Sequence, residues 1–225
     1  MDSGGAVHSE AIESYPVHTP RTGWAESAPA DWWRAVQAAV HRVTAGTAGS
    51  IVSLGVVGQM HGVVLTDASG AALRPAILWA DTRTEAYLAQ FTALGRAALE
   101  RLANPVVTGM AGPSLLWLRD HEPDAYATAR WALQPKDWLR LQLTGQAAAE
   151  PSDASATLLY DVPADEWAWS LIDQLGLRDD LLAPLIPSAA VAGSLTAAAA
   201  DVLGLPPDLP VAAGAGDTPA AALGS

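Results

Sequence analysis

The chain has no cysteine and a single lysine, Lys136. The missing thiols exclude disulfides and thiolate metal sites outright. Cationic residues are scarce altogether, 12 against 24 acidic ones for a net charge of −12, and they form no basic patch. No nucleic-acid partner is expected from such a balance. Long apolar runs are also lacking: the Ala-rich stretch at Ala197 to Ala200 is far too short to span a bilayer, so no membrane partner is expected. The N-terminus has neither a basic start nor an apolar h-region, which makes a cytoplasmic location the default expectation. No GxSxG and no GxxxxGK[ST] occurs, and the five histidines show no metal-ligand spacing, so serine hydrolase and metal hydrolase readings lose their support.

What remains is a globular chain, half hydrophobic over 225 residues, able to bury one large core or two small ones. Asp31-Trp32-Trp33 opens an apolar-periodic run to Val43 that predicts an amphipathic helix with Asp31 near its cap. Ile51 to Val57, bounded by Gly49 and Gly58, has the pattern of a strand buried on both faces. Val63 to Thr66 and Ala76 to Trp79 predict a hairpin turning at Ser69-Gly70, which would bring Trp79 near Met60 and His61. Thr82 to Arg101 reads as helical, as do Pro113 to Leu118, Pro123 to Ala129, Asp165 to Gly176 and Arg178 to Leu182. Pro135 to Leu143 is expected to be a helix stopped at Thr144-Gly145. Val211 to Ala213 predicts a last strand before a glycine turn and a final helix running to Ser225. Strands alternating with helices argue for an α/β domain, and the hairpin argues against a purely parallel sheet.

Two segments invite chemistry. Gly58-Gln59-Met60-His61-Gly62 lies where a strand exits into a glycine-flanked turn, a usual place for ligand contacts in an open sheet. His61 alone fits a histidine bonded to backbone in a tight turn, but glycines on both sides permit close approach of a ligand. Ala213-Gly214-Ala215-Gly216-Asp217-Thr218-Pro219 sets a carboxylate after a glycine turn at a helix start. Asp217 there serves either as a helix cap or as a general base, and Thr218-Pro219 as the better cap pair would leave it free. Asp81 or Thr82 is expected to cap a helix with Arg83 solvated. Trp79 suits core filling or packing against a sugar face. Lys136 and Asp137, being adjacent, are not expected to face each other as an ion pair, and a buried structural role is expected for Lys136. The tryptophan pairs Trp32-Trp33 and Trp167/Trp169 are expected to pack helices.

Val57-Gly58-Gln59-Met60-His61-Gly62, Leu73 to Trp79, Gln134 to Arg140 and Ala213 to Asp217 together resemble, in order and spacing, the FGGY carbohydrate kinases of the xylulokinase type. Pro151 to Ser155, Leu158 to Val162 with Trp167, and Trp24-Ala25-Glu26 carry the same likeness. The resemblance implies an actin-like, ribonuclease-H-like α/β fold with a mixed sheet. It also implies that residues 1–225 are the sugar-binding N-terminal domain, lacking its first strands with their Asp-x-Gly-Thr turn and the second, ATP-binding domain. It makes a small-molecule sugar the partner, D-xylulose first and ribulose, gluconate or glycerol as alternatives, with ATP and Mg²⁺ as co-substrate and metal. Met60, His61, Thr218 and Trp79 become expected sugar contacts and Asp217 the expected base. Thr218 departs from the Asn common in the family, and Pro113-Ser114-Leu115-Leu116-Trp117 departs from its usual Pro-Lys-Leu-Leu-Trp. Homodimers are common in the family, while the composition reveals no interface. Turnover by this chain alone is not expected, and a non-catalytic sugar-binding module is the reading from a different class.

Overall fold

The computed structural model describes residues 1–2 and 4–224. In chain order the elements are β1 (Glu26–Ser27), α1 (Pro29–Val43), β2 (Val57–Gly58), β3 (Val64–Thr66), β4 (Ala76–Ile77), α2 (Leu88–Thr92), α3 (Arg96–Leu102), α4 (Ala111–His121), α5 (Pro123–Thr128) and β5 (Trp131–Leu133). There follow α6 (Pro135–Thr144), α7 (Pro151–Ala154), β6 (Tyr160–Asp161), β7 (Glu166–Trp167), α8 (Trp169–Gln174), β8 (Val191–Ser194), α9 (Ala197–Leu203), β9 (Pro210–Ala212), β10 (Ala215–Gly216) and α10 (Asp217–Leu223). The strands are short and their pairing is mixed, parallel and antiparallel. β3 pairs antiparallel with β5, and the bridge Val63↔Ile77 joins it to β4, which pairs in turn with β1. β2 runs parallel to β10 and touches β9 through a parallel Leu54↔Val211 bridge, while β8 closes antiparallel on β9.

The expected hairpin forms. Val63 and Ile77 exchange backbone hydrogen bonds, and Asp67 closes the turn by accepting from Ser69 and Ala71. Trp79 and His61 each lie two residues beyond the Val63↔Ile77 bridge that ends this ladder. α6 forms where its punctuation says it should: Pro135 fills the first helical position, where a missing N–H costs nothing, and Gly145 ends it at φ 69°.

α6 joins two apolar cores. Trp138 and Leu141 pack into the larger one with Leu65, Ile77, Phe91 and Leu116, and Leu143 enters the smaller one with Leu195, Leu203 and Val211. Trp32 meets Trp138 edge to face with ring centroids 6.1 Å apart, so α1 clamps α6 from outside as a tryptophan pair would.

Several expectations are corrected. The segment Ile51 to Val57 is not buried on both faces: Val52 and Val57 are 76% and 56% exposed, and only Val57–Gly58 is a strand. Leu54 and Val56 spend their hydrogen bonds on Pro210, Ala212 and Ala215, so one edge of the segment is paired and the other faces solvent. Apolar β-branched residues reported a strand, but not that it would be an edge. The helix expected over Thr82 to Arg101 is broken at Gly95, whose φ of 87° no right-handed helix accepts, leaving α2 and α3. Asp165 to Gly176 yields helix only from Trp169, because Glu166–Trp167 pairs with β6. Arg178 to Leu182 shrinks to a single 3₁₀ turn, and Trp169 is 44% exposed rather than packed. Ala28 occupies the cap of α1, and Asp31 sits in its first turn paired with Arg34. The last helix ends at Leu223 with Gly224 at its C-cap, short of the expected Ser225, which itself lies outside the described residues.

Arg83 is the plainest reversal. Its side chain is 1% exposed, forked onto both oxygens of the fully buried Asp81 and stacked over Trp24 at 3.5 Å, with Trp117 4.8 Å away. Neither Asp81 nor Thr82 caps a helix; a single 3₁₀ turn follows at Glu85–Tyr87, with Thr84 at its cap. Asp81 instead accepts from Ala25 N at 2.7 Å, tying the hairpin to the N-terminal loop. Asp81 is two residues away, but the rings over which Arg83 lies, Trp24 and Trp117, are some sixty residues earlier and thirty later, where no local pattern could reveal them.

Candidate functional site

The parallel pairing of β2 with β10 builds the site. Ala215 lies opposite Val57 and Gly216 opposite Gly58, so the chain leaves both strands at the same level, one into Gln59-Met60-His61 and the other into Asp217. Glycine is required on both sides. A Cβ on Gly216 would sit 2.7 Å from Met60 Cγ and 2.9 Å from its sulfur, and one on Gly58 would sit 2.8 Å from Lys136 Cβ. Gly214, at φ 86°, lies against the carbonyl of Val56, where a Cβ would approach to 2.0 Å. Met60 therefore packs on the backbone that carries Asp217.

His61 adopts φ 72°, a left-handed conformation that costs a β-carbon residue energy and turns its side chain out of the strand line. Its Nδ1 lies 2.9 Å from the carbonyl of Ala156. A carbonyl only accepts, so Nδ1 carries the proton and Nε2, in the neutral ring, is left as an acceptor for a hydroxyl. The backbone-bonded histidine of a tight turn thus forms, with the second ring nitrogen left over.

Asp217 is the first residue of α10 and is exposed. Gly216 takes the cap position with no side-chain bond, so Thr218-Pro219 is not the cap pair. Among the described residues the Asp217 carboxylate is engaged on one side only: Oδ1 accepts from Thr218 N at 2.7 Å, with Thr218 Oγ1 3.4 Å away. Thr218 is exposed beside it. Trp79 is 60% exposed, which removes it from the core-filling role, and its carbonyl is covered by Gly109 at φ 80°. Met60 thus lies against the residue before Asp217 and Thr218, His61 is on the same turn as Met60, and Trp79 lies in the turn two residues beyond β4.

Behind this surface lies a buried charge cluster. Lys136, fully buried, reaches Asp137 at 2.6 Å, Glu150 at 3.0 Å and Asp153 at 3.1 Å. The pair Lys136–Asp137 does form, against the rule for adjacent helical residues, because neither side chain has solvent as an alternative and a buried charge must find a partner. Arg140 joins at 3.0 Å from Asp137. Burial by itself would lower the Lys136 pKa, and the charges of Asp137, Asp153 and Glu150 outweigh it and raise it. Burial would raise that of Glu150, yet the Lys136 charge and the hydrogen bonds from Ser188, Lys136 and Ser152 hold it below the usual carboxylate range. Burial dominates at Asp153 and pushes it up to about 7.

Glu150 and Ser152 escaped the sequence reading as site residues. A local signal existed: Glu150 precedes Pro151 as a helix cap, accepting from Ser152 N at 2.8 Å and Asp153 N at 3.0 Å. Its contact to the site, Gly216 N donating to Ser152 Oγ at 3.2 Å, spans 64 residues and has no local signal.

The donor set bears on ATP and Mg²⁺. Among the described residues no three His, Cys, Asp or Glu side chains converge to hold a metal. Lys136 and Arg140, the cations behind Asp217, are both taken by carboxylates. What this half can contribute to a reaction is therefore read from its own side chains.

Comparison with known proteins matches residues 1–224 to the N-terminal domain of the FGGY family of carbohydrate kinases. Xylulose kinase of Bacillus subtilis is 34% identical over 229 aligned residues, covering 100% of this chain and 46% of that protein. Xylulose kinase of Escherichia coli is 33% identical over 225 residues, with the same coverage of 100% and 46%. The crystal structure of a xyloylose kinase from Brucella ovis superposes with a TM-score of 0.89 at 35% identity, over 97% of this chain and 46% of that one. The chain thus spans about half the length of the curated relatives it matches.

Proposed function

The chain belongs to the FGGY family of carbohydrate kinases, and on that premise we propose that it supplies the sugar-binding half of an ATP-dependent kinase acting on D-xylulose to give D-xylulose 5-phosphate. The observation that carries the proposal is the paired exit of β2 and β10, which sets Asp217 beside Met60 and the His61 turn. Asp217 has one carboxylate oxygen fixed by Thr218 N and the other turned to solvent, the state a general base needs. It takes the proton of the sugar hydroxyl as that oxygen bonds to the γ-phosphorus of ATP, and ADP leaves with the electrons of the broken P–O bond. Because such transfer gains mostly from positioning and charge stabilisation, a rigid sugar platform is a sufficient contribution from this half. His61 Nε2 would accept from a sugar hydroxyl, Met60 would pack against the carbon face, and Trp79, exposed at the strand end, would offer its ring. Thr218 presents a hydroxyl where the family commonly has an amide, so it bears on which hydroxyl pattern is accepted. ATP places the reaction in the cytoplasm.

The test uses this chain joined to the remaining length its relatives have. Asp217→Asn should lower kcat by about 10²- to 10⁴-fold, the usual worth of a general base, with a much smaller change in the KM for sugar. Retention of the parent kcat would remove Asp217 from the reaction. Consumption of ribulose, gluconate or glycerol but not xylulose would overturn the substrate assignment and leave the kinase reading in place.

A further inference from the structure

Asp217 stands on a strand end whose backbone donors are held by three separate segments of the chain, 188–190, Val56 and Ser152. Ala213 N donates to Ala190 O at 2.8 Å, Gly214 N to Ser188 O at 3.1 Å, Ala215 N to Val56 O at 3.3 Å and Gly216 N to Ser152 Oγ at 3.2 Å. Only the last of these, the one adjacent to Asp217, is a side-chain bond. A hydroxyl can rotate away from such a duty unless its own proton is committed. Here it is committed, because Ser152 Oγ donates to Glu150 Oε1 at 2.9 Å. Glu150 also accepts from Ser188 Oγ at 2.5 Å, and Ser188 supplies the carbonyl that holds Gly214. One buried carboxylate therefore gathers both serines whose oxygens hold the turn before Asp217. Lys136 and the hydrogen bonds keep that carboxylate ionised, so it can only accept.

The same short segment reaches the other half of the site. α7 carries Ser152, and the 3₁₀ turn that follows it carries Ala156, whose carbonyl fixes His61 Nδ1. From the far side Arg140 donates to the carbonyl of Ala213 and is tied through Asp137 to Lys136. β2 and β10 themselves share only a two-residue ladder, too little to fix a carboxylate within the fraction of an ångström that proton transfer demands.

We propose that Ser152, held by Glu150, is a positioning residue for Asp217, and that α7 with the turn after it acts as a clamp setting Asp217 and His61 at one fixed separation. The proposal rests on Asp217 being the base.

The experiment uses the chain joined to its relatives' remaining length, with D-xylulose and ATP. Ser152→Ala should lower kcat about 10- to 100-fold, the cost of a displacement of about 1 Å at a reacting group, while xylulose affinity by titration calorimetry stays within about twofold. Ser152→Thr, which keeps the hydroxyl, should restore most of the loss, and in an Asp217→Asn background Ser152→Ala should add no further loss. Ser188→Ala, which removes one donor to Glu150 but leaves the Ser152 bond to Gly216, should lower kcat by up to about 10-fold; if Ser152→Ala does not fold, a kcat unchanged by Ser188→Ala overturns the clamp. A kcat unchanged by Ser152→Ala, a loss that Ser152→Thr does not relieve, or full additivity with Asp217→Asn overturns the clamp. An active Asp217→Asn instead overturns the assignment of the base, so the two failures are told apart.

Discussion

Burying a carboxylate without well-directed donors is costly, and Asp153 shows how the protein limits that cost. Its side chain is fully buried, and although Oδ2 lies 3.1 Å from Lys136 the angle is poor, so neither oxygen has a well-aligned donor. Two cations, Lys136 and Arg140, face three carboxylates, Asp137, Glu150 and Asp153, so the cluster balances only when one carboxylate is neutral. Burial selects Asp153, raising it from 3.8 to about 7. A carboxyl raised on folding contributes stability that is fully present below its unfolded value of 3.8 and lost as the pH climbs to about 7. Glu150, lowered on folding, works in the opposite sense, its contribution present above 4.5 and lost as the pH falls through its folded value. Asp153→Asn mimics the neutral form. It should raise Tm at pH 8 by a few degrees and flatten the decline of the parent between about pH 4 and pH 7, by scanning calorimetry across pH. An Asn variant with the parent's slope would place the titration elsewhere.

At the scale of elements, β2 and α6 meet at a close joint, where Gly58 lies on Lys136. An added Cβ would meet Lys136 Cβ at 2.8 Å and its Cα and N at 3.4 Å, and the backbone atoms cannot swing aside as a side-chain end could. Gly58→Ala should cost about 1–3 kcal/mol, the usual penalty of overpacking, read as a lower urea midpoint at unchanged m-value. Gly55→Ala, three residues earlier with open space around it, is the control and should change stability by well under half of that. An equal effect of the two would show that loss of glycine freedom, and not the joint, is responsible. α6 itself was legible from sequence because its ends are written locally, in Pro135 and Gly145. β2 was legible only as a strand, since apolar β-branched residues do not say how many neighbours a strand has. The Arg83–Asp81–Trp24 stack and the Ser152–Gly216 bond were not legible at all, because each joins segments that only the fold brings together. Of the candidate site, the two glycine turns could be read from their residues, whereas the proximity of Met60 to Gly216 needed the parallel register of β2 and β10.

The charge of the whole molecule decides what it can do with a nucleotide. With a net charge of −12, the chain repels a polyanion at long range unless some local site of cations overrides that field. The twelve cationic side chains are all engaged among the described residues: Lys136 and every arginine but Arg21 and Arg130 pair with carboxylates. Those two lie over tryptophan rings, Arg21 at 4.9 Å from Trp24 and Arg130 at 3.5 Å from Trp131. Exposed pairs such as Arg96–Glu100 can be drawn apart at little cost, but Lys136 and Arg140 behind Asp217 cannot, because release would strand buried carboxylates at about 3–5 kcal/mol each. At the start of α10, where backbone N–H groups would favour an anion, the chain places Asp217, itself negative. The 225-residue chain by itself should therefore give no saturable heat with MgATP in titration calorimetry and no ATP-dependent phosphorylation of xylulose. Xylulose alone should still bind, since Met60, His61 and Asp217 are held by contacts internal to the chain. Saturable MgATP binding would mean that a cation leaves its carboxylate partner when nucleotide arrives. Absence of any sugar heat would instead leave the platform dependent on the length that the longer relatives have.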